Sequence, residues 1–263
     1  EILVRNVVKA LENAKQDKRI AALVLDLGRF SGGGLDKLRT VADAIADFKT
    51  SEKPVIAMGD YYSQSQYYLA AHADKVYLNP EGGMLFDGYT RNRMYYKDAI
   101  EKLKVKTHVF KVGTFKSAIE PYLRNDMSDA AKEANEAWLS AYWTQYKTDV
   151  AAARGIEVTD FDETVANFMP KFEAANGDLA LYALQNGWVD ELKTREAMRQ
   201  EMFALVGESE NGKGYKGITY DRYMKVINRP FPKQTKGDAI AVVVAKGTIL
   251  DGTQKAGTIG GDS

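Results

Sequence analysis

Ile20-Ala21-Ala22-Leu23-Val24-Leu25-Asp26-Leu27, then Ser31-Gly32-Gly33-Gly34, then Leu35 with apolar successors at Leu38, Val41, Ala42, Ile45 and Phe48, place a strand, a tight turn and a helix in direct succession. The near-continuous apolar run suits a parallel strand covered on both faces, and the three-to-four spacing after it suits a helix. The pattern then repeats. Lys53-Pro54 opens a strand at Val55-Ile56-Ala57-Met58-Gly59, residues 61–71 turn into a helix, residues 74–78 read as another strand, and Asn79-Pro80-Glu81-Gly82-Gly83 reads as a turn. Strand and helix in this alternation are the rhythm of right-handed crossover units, so the expected class is α/β with a parallel or mixed sheet.

Outward from this centre, Ile2, Val4, Val7, Val8 and Leu11 predict a first helix ended by Gln16-Asp17-Lys18-Arg19. Met94, Tyr95, Ala99, Ile100 and Leu103 predict a helix over residues 91–103, with an exit strand at Thr107-His108-Val109-Phe110. Ser128 is a helix N-cap, and Trp138, Leu139, Tyr142, Tyr146 and Val150 mark a buried stripe on the long helix that follows. Residues 179–190 read as a helix closed by Gly187 and followed by a short strand, and the polar, glycine-rich residues 207–217 as a mobile surface loop. Ala239-Ile240-Ala241-Val242-Val243-Val244-Ala245 reads as a buried strand with too little chain after it to supply partners, and residue 1 opens straight into a helical pattern. Both ends predict a fragment: one nearly complete unit over 1–236, and the first strand of a second over 237–263.

The 263 residues are 45% hydrophobic, ample for a core. Lysine plus arginine (36) balances aspartate plus glutamate (36), so no general field draws the chain to nucleic acid, and none is expected as a partner. The absence of cysteine excludes disulfides, thiol nucleophiles and thiolate metal sites. No metal or organic cofactor is implied. The two histidines, His72 and His108, have no serine-aspartate spacing beside them, which argues against a histidine-based triad.

Two stretches carry candidate chemistry. Val112-Gly113-Thr114-Phe115-Lys116-Ser117-Ala118-Ile119-Glu120-Pro121 places Lys116 among apolar neighbours and hydroxyls, at what reads as a strand-to-helix crossing. Desolvation there would lower the lysine pKa and leave an amine able to act as a general base, with Thr114 and Ser117 as candidates to orient it. The backbone N–H groups around Gly33, in the Gly32-Gly33-Gly34 turn, could bind an anion or stabilise an oxyanion, although a tight turn also needs small residues. Tyr61, Tyr62, Tyr67, Tyr68, Met84, Leu85 and Phe86 could line an apolar groove or form ordinary core.

Lys53-Pro54-Val55, the run from Tyr62 to Ala71, the Lys116 stretch and Asn186-Gly187-Trp188-Val189-Asp190 together resemble the amino-terminal half of the long form of the signal peptide peptidase A family, bacterial protease IV. The resemblance covers nearly the whole chain, and the lysine stretch is its most specific part. It implies a serine peptidase of crotonase-like (ClpP/crotonase) fold, built from repeated ββα units, in which the first of two similar halves supplies a lysine base and the second the serine nucleophile. Lys116 falls on the lysine position. In short, single-unit members the nucleophile follows the strand equivalent to residues 55–59, flanked by small residues. Here that place holds Ser63-Gln64-Ser65-Gln66, so Ser65 is expected to be structural or substrate-lining. The resemblance further implies cleaved signal peptides as substrate and a homo-oligomer, a tetramer by analogy. It also implies anchorage to the bacterial inner membrane on its periplasmic face, by a segment missing from this chain. Two other readings stay open: a crotonase-type acyl-CoA enzyme, for which no convincing glutamate pair is found, and a non-catalytic half that builds only the subunit interface.

Overall fold

In the computed structural model, residues 2–161, 164–210, 212, 214–228, 247–255 and 258–260 are described. Contacts divide the chain into two compact units, residues 1–227 and 228–263.

The first unit is built on a four-stranded parallel sheet in the order β1 (Leu23–Asp26), β2 (Val55–Tyr62), β3 (Lys75–Met84), β4 (Glu191–Leu192). The α/β class with a parallel sheet is therefore as the sequence indicates. The two-residue alternation of a strand sorts its side chains. Leu23, Leu25, Val55, Ala57, Val76 and Leu78 join the main core, while Val24, Ile56, Met58 and Tyr77 form a smaller cluster on the opposite face. The apolar run at residues 20–27 is thus the sum of two half-patterns.

The helices follow from their periods. α1 (Val4–Gln16) and α2 (Leu35–Lys49) bring Leu11, Leu38, Ile45 and Phe48 to the main core, and Lys53 donates to the carbonyls of Ala14, Lys15 and Asp17, closing the C-terminal end of α1. α3 (Gln64–Ala70) adds Tyr67, Tyr68 and Leu69. Next come the short α4 (Lys97–Lys102), the long α5 (Asp129–Arg154), α6 (Val165–Ala174) and α7 (Leu179–Gln185). α8 (Arg195–Val206) covers the smaller cluster with Met198 and Met202, and α9 (Tyr220–Ile227) returns Tyr223 and Met224 to the main core. Ser128 caps α5, its hydroxyl accepting from the Ala131 N–H. Glycine-rich residues 207–217 are tied by an antiparallel bridge between Glu208 and Tyr215.

Aromatic side chains fill the centre. Trp188 stacks on Phe161, meets Phe86 edge-on at 4.5 Å between ring centroids, and meets Tyr182 edge-on at 5.1 Å. Around it, Asp190 exchanges hydrogen bonds with the Val76 backbone, its carboxylate taking the N–H and its own N–H giving to the carbonyl. Arg154, at the last turn of α5, donates to the same carboxylate and to the Gly187 carbonyl. Asn186-Gly187-Trp188-Val189-Asp190 thereby joins α5, α7 and the sheet, with Gly187 at φ +71° making the turn.

Four expectations are corrected. Residues 79–83 continue β3 rather than turning: the register shifts between Gly59 and Tyr61, and the added backbone is absorbed by glycines. A Cβ on Gly82 would lie 1.8 Å from the Asp60 carbonyl oxygen. Residues 107–110 form no strand, because no strand stands beside them among the described residues, and Phe110 is 97% exposed. The helix expected over 91–103 contracts to α4. The stripe on α5 is buried only towards its C-terminal end, at Tyr146 and Val150, while Trp138 and Tyr142 are exposed.

In the second unit, β5 (Thr248–Leu250) pairs in parallel with β6 (Thr258–Gly260). The strand expected at 239–245 lies outside the described residues.

Candidate active site

The turn between β1 and α2 approaches the N-terminus of α3. Gly32, at φ +110°, lies so close to α3 that a Cβ there would sit 3.2 Å from Ser65 Oγ. Gly34 precedes the first turn of α2 in extended conformation. The cap of α3 is Ser63, whose Oγ accepts from the Gln66 N–H while Gln66 Oε1 accepts from the Ser63 N–H, a reciprocal capping box. Gln66 goes further: its Nε2 donates to the carbonyls of Leu27 at 2.8 Å and Phe30 at 3.0 Å, pinning the glycine turn. Gln64 makes a two-way amide pair with Gly88, taking its N–H at 2.9 Å and giving to its carbonyl at 3.1 Å. Ser65, half-buried between them, makes no hydrogen bond through its hydroxyl among the described residues.

Lys116 occupies a separate loop. Gly113, at φ +111°, starts a turn in which the Lys116 N–H donates to the Gly113 carbonyl at 3.4 Å, and the Lys116 methylenes run beside Gly113. The side chain is exposed, with Phe115 half-exposed and Val112 85% exposed beside it. The expected desolvation is therefore not supplied by the described residues. Thr114 is exposed and Ser117 half-buried. No hydrogen bond or ion pair joins Lys116 to Ser65 or to the Gly33 turn among the described residues. Of the expected groove residues, Tyr62, Tyr67, Tyr68 and Met84 are buried core, whereas Tyr61 and Leu85 are exposed.

The loop is anchored downstream by Glu120, a buried carboxylate that accepts from the Ser128 hydroxyl at 2.5 Å and the Ser128 N–H at 3.2 Å. Burial pushes its pKa up, but the two Ser128 hydrogen bonds and the nearby Arg124 and Lys111 cations outweigh this and hold it below the usual glutamate value. A carboxylate depressed in the folded state stabilises the fold above its unfolded pKa and loses that contribution as pH falls through its folded value. Glu120→Gln is therefore expected to lower the Tm at neutral pH, with the gap to wild type closing in acid. Thermal melts of both proteins across pH check this, and a gap unchanged at acid pH contradicts it.

The family model described as "Peptidase family S49" matches residues 47–208, which include the α3 N-terminus, the Lys116 loop and the Asp190 turn. The chain belongs to peptidase family S49. "Protease 4" of Salmonella typhi is 39% identical over 258 residues, 98% of this chain and 41% of its own length. "Protease 4" of Haemophilus influenzae is 38% identical over 258 residues, 98% of this chain and 42% of its own. "Serine protease SPPA, chloroplastic" of Arabidopsis thaliana is 22% identical over 247 residues, 94% of this chain and 34% of its own. The chain thus spans about two fifths, or less, of the length of these relatives. Among solved structures, an enoyl-CoA hydrotase/isomerase family protein from Silicibacter pomeroyi matches 62% of this chain and 82% of its own at 15% identity. Its TM-score of 0.24 is too low to carry an argument about this chain.

In this S49 chain the structure brings Ser65 to the glycine turn, and no hydrogen bond or ion pair ties Lys116 to either among the described residues. Sequence reasoning did not find the tethering roles of Gln64, Gln66 and Glu120, or Arg93, which donates to two carbonyls of the lysine loop. Gln64, Gln66 and Glu120 stand within the stretches that carry the resemblance. Arg93 has no local signal.

Proposed function

We propose that this chain is the lysine-bearing half of an S49 serine endopeptidase that degrades cleaved signal peptides, with Lys116 as general base for a serine carried by a similar unit outside residues 1–263. The free amine of Lys116 takes the proton from the serine hydroxyl as its oxygen attacks the scissile carbonyl. The resulting ammonium returns a proton to the leaving amine, and water then hydrolyses the acyl-enzyme. Gly33, Thr114 and Ser117 are the supporting candidates, Gly33 through its backbone N–H and the other two through hydroxyls.

The observation that carries the reading is the contrast between the two sites. Ser65 stands between glutamines whose amides are committed to the Leu27, Phe30, Ser63 and Gly88 backbone, a built structural junction. Lys116 stands on an exposed loop with its nitrogen unengaged among the described residues, available to a group brought from elsewhere. A second unit covering this loop would supply the desolvation that a lysine base needs. The name "Serine protease SPPA, chloroplastic" on one relative supports the serine type.

The proposal includes a homo-oligomer, a tetramer by family resemblance, and exposed Met94, Leu103, Phe110, Val112, Trp138 and Tyr142 offer apolar surface for such contacts. It also includes anchorage at the periplasmic face of the inner membrane through a segment outside this chain. Among the described residues, no helix is long and apolar enough to cross a membrane.

The test is hydrolysis of a fluorogenic signal-peptide-like substrate by the longer protein that contains both units. Ser65→Ala is expected to keep kcat/KM within about twofold of wild type, since it removes a hydroxyl without a hydrogen bond at a half-buried site. A loss as deep as that from Lys116→Ala would make Ser65 the nucleophile and overturn the division of labour.

A further inference from the structure

We infer that Arg93 is the positioning residue of the lysine loop, a guanidinium clamp that fixes the backbone immediately after Lys116 and so sets where the amine points. This rests on the reading of Lys116 as general base. Arg93 Nη1 donates to the Ser117 carbonyl at 3.0 Å and Nη2 donates to the Ala118 carbonyl at 2.6 Å. Two consecutive carbonyls, one and two residues beyond Lys116, are thus taken by one planar fork. A guanidinium holds this geometry and an ammonium cannot.

The Ser117 carbonyl also accepts from the Glu120 N–H at 3.1 Å, so the clamp adds to a backbone turn there, while the Ala118 carbonyl is held by Arg93, and the residues up to Lys116 have few other restraints. Val112, Thr114, Phe115 and Lys116 are exposed, and the described hydrogen bonds at Lys116 are two long ones of 3.4 Å, from its own N–H to Gly113 and from Lys111 Nζ to its carbonyl. Beyond the clamp the chain is fixed again. Pro121 accepts from the Tyr96 N–H at 2.6 Å, Tyr122 stacks on Tyr96, and Glu120 holds Ser128. Arg93 and Tyr96 belong to the same short stretch ahead of α4, so that stretch serves as the splint for the lysine loop.

Among the described residues Arg93 forms no ion pair. Its charge is directed at two backbone carbonyls rather than at a carboxylate. A base that must meet a nucleophile delivered from another unit needs its position fixed before that unit arrives. A misplacement of about 1 Å is enough to cost on the order of a hundredfold in rate.

The test uses the longer protein that contains both units. It measures kcat, KM and Tm for Arg93→Ala, Arg93→Lys, Lys116→Ala and the double variant Arg93→Ala/Lys116→Ala. The expected result is a fall in kcat of about ten- to a hundredfold for Arg93→Ala with KM within about twofold. Arg93→Lys should recover little, because one ammonium does not span two carbonyls. The double variant should be no slower than Lys116→Ala alone, because Arg93 acts through the lysine.

Hydrogen exchange at residues 113–119 reads the clamp without activity: faster exchange in Arg93→Ala, confined to that loop, is expected. Unchanged kcat in Arg93→Ala, or a loss that tracks a fall in Tm with exchange quickened throughout, overturns the inference. If Arg93→Ala does not fold, Arg93→Lys carries the same kcat and exchange readouts, and wild-type values in it overturn the clamp. If Lys116→Ala keeps wild-type turnover, the general-base reading itself falls. If Lys116→Ala is inactive while Arg93→Ala is unimpaired, only the clamp falls.

Discussion

Lys116→Ala in the longer protein is expected to lower turnover by about three orders of magnitude or more, with the fold intact. The size follows from the chemistry. A serine hydroxyl is a weak nucleophile until a base takes its proton, and removing an essential member of such a pair costs on this scale, about 4 kcal/mol of transition-state stabilisation. The structural side is favourable to the experiment: the Lys116 side chain is exposed and its nitrogen holds no hydrogen bond among the described residues, so truncation breaks nothing in the core. Lys116→Arg should be as inactive, since a guanidinium stays protonated and cannot accept the proton. Wild-type kcat/KM should rise with pH, because only the free amine is a base, and a flat profile would argue against that role. Full turnover in Lys116→Ala would leave this half a non-catalytic scaffold and return the search to Ser65 and the Gly33 turn.

Trp188→Ala is expected to be the most destabilising single change to the fold among those considered, by about 3–5 kcal/mol, the range for truncating a large buried aromatic. Trp188 is 1% exposed and held between the rings of Phe86, Phe161 and Tyr182, residues drawn from three separate parts of the chain. The ring's neighbours cannot collapse together without disturbing the Asp190 turn that follows. For a unit of this size the Tm should fall by about 6–20 °C. Trp188→Phe should be milder for a specific reason: the indole N–H is buried without a partner among the described residues, and phenylalanine removes that uncompensated donor while keeping most of the ring. Phe110→Ala, at a 97% exposed position, is the control and should change stability by about 0.5 kcal/mol or less. Denaturant melts of the three variants check the order, and a Trp188→Ala midpoint close to wild type would contradict the packing account.

The sheet and the helices against it were legible because their periods are local. Leu23 to Leu25, Val55 to Met58 and Val76 to Leu78 are the continuous apolar runs of strands covered on both faces, and α2 carries its three-to-four-residue spacing in its own sequence. What failed depended on partners elsewhere. Gly82 and Gly83 look like a turn in sequence, yet they are glycine because Asp60 and Leu179 leave no room for a side chain. Thr107 to Phe110 has strand-forming residues and no strand to join. Trp138 and Tyr142 keep the helical spacing of Tyr146 and Val150, but the core reaches only the latter pair. The candidate site divides the same way. Lys116 and the glutamines around Ser65 stand out through the family resemblance, whereas the Arg93 clamp joins residues 24 and 25 apart with no motif to announce it.

The Asp190 junction has a consequence for how the first unit comes apart. Its carboxylate serves Val76 and Arg154 together, and Arg154 also holds the Gly187 carbonyl. Freeing any one partner leaves a partly buried charge less well compensated, so the others are weakened at the same moment. The end of α5, the turn after α7 and β3 are thus coupled into one cooperative opening unit rather than three that fray in turn. Loops carried on such a block can rearrange while the block beneath them opens only as a whole.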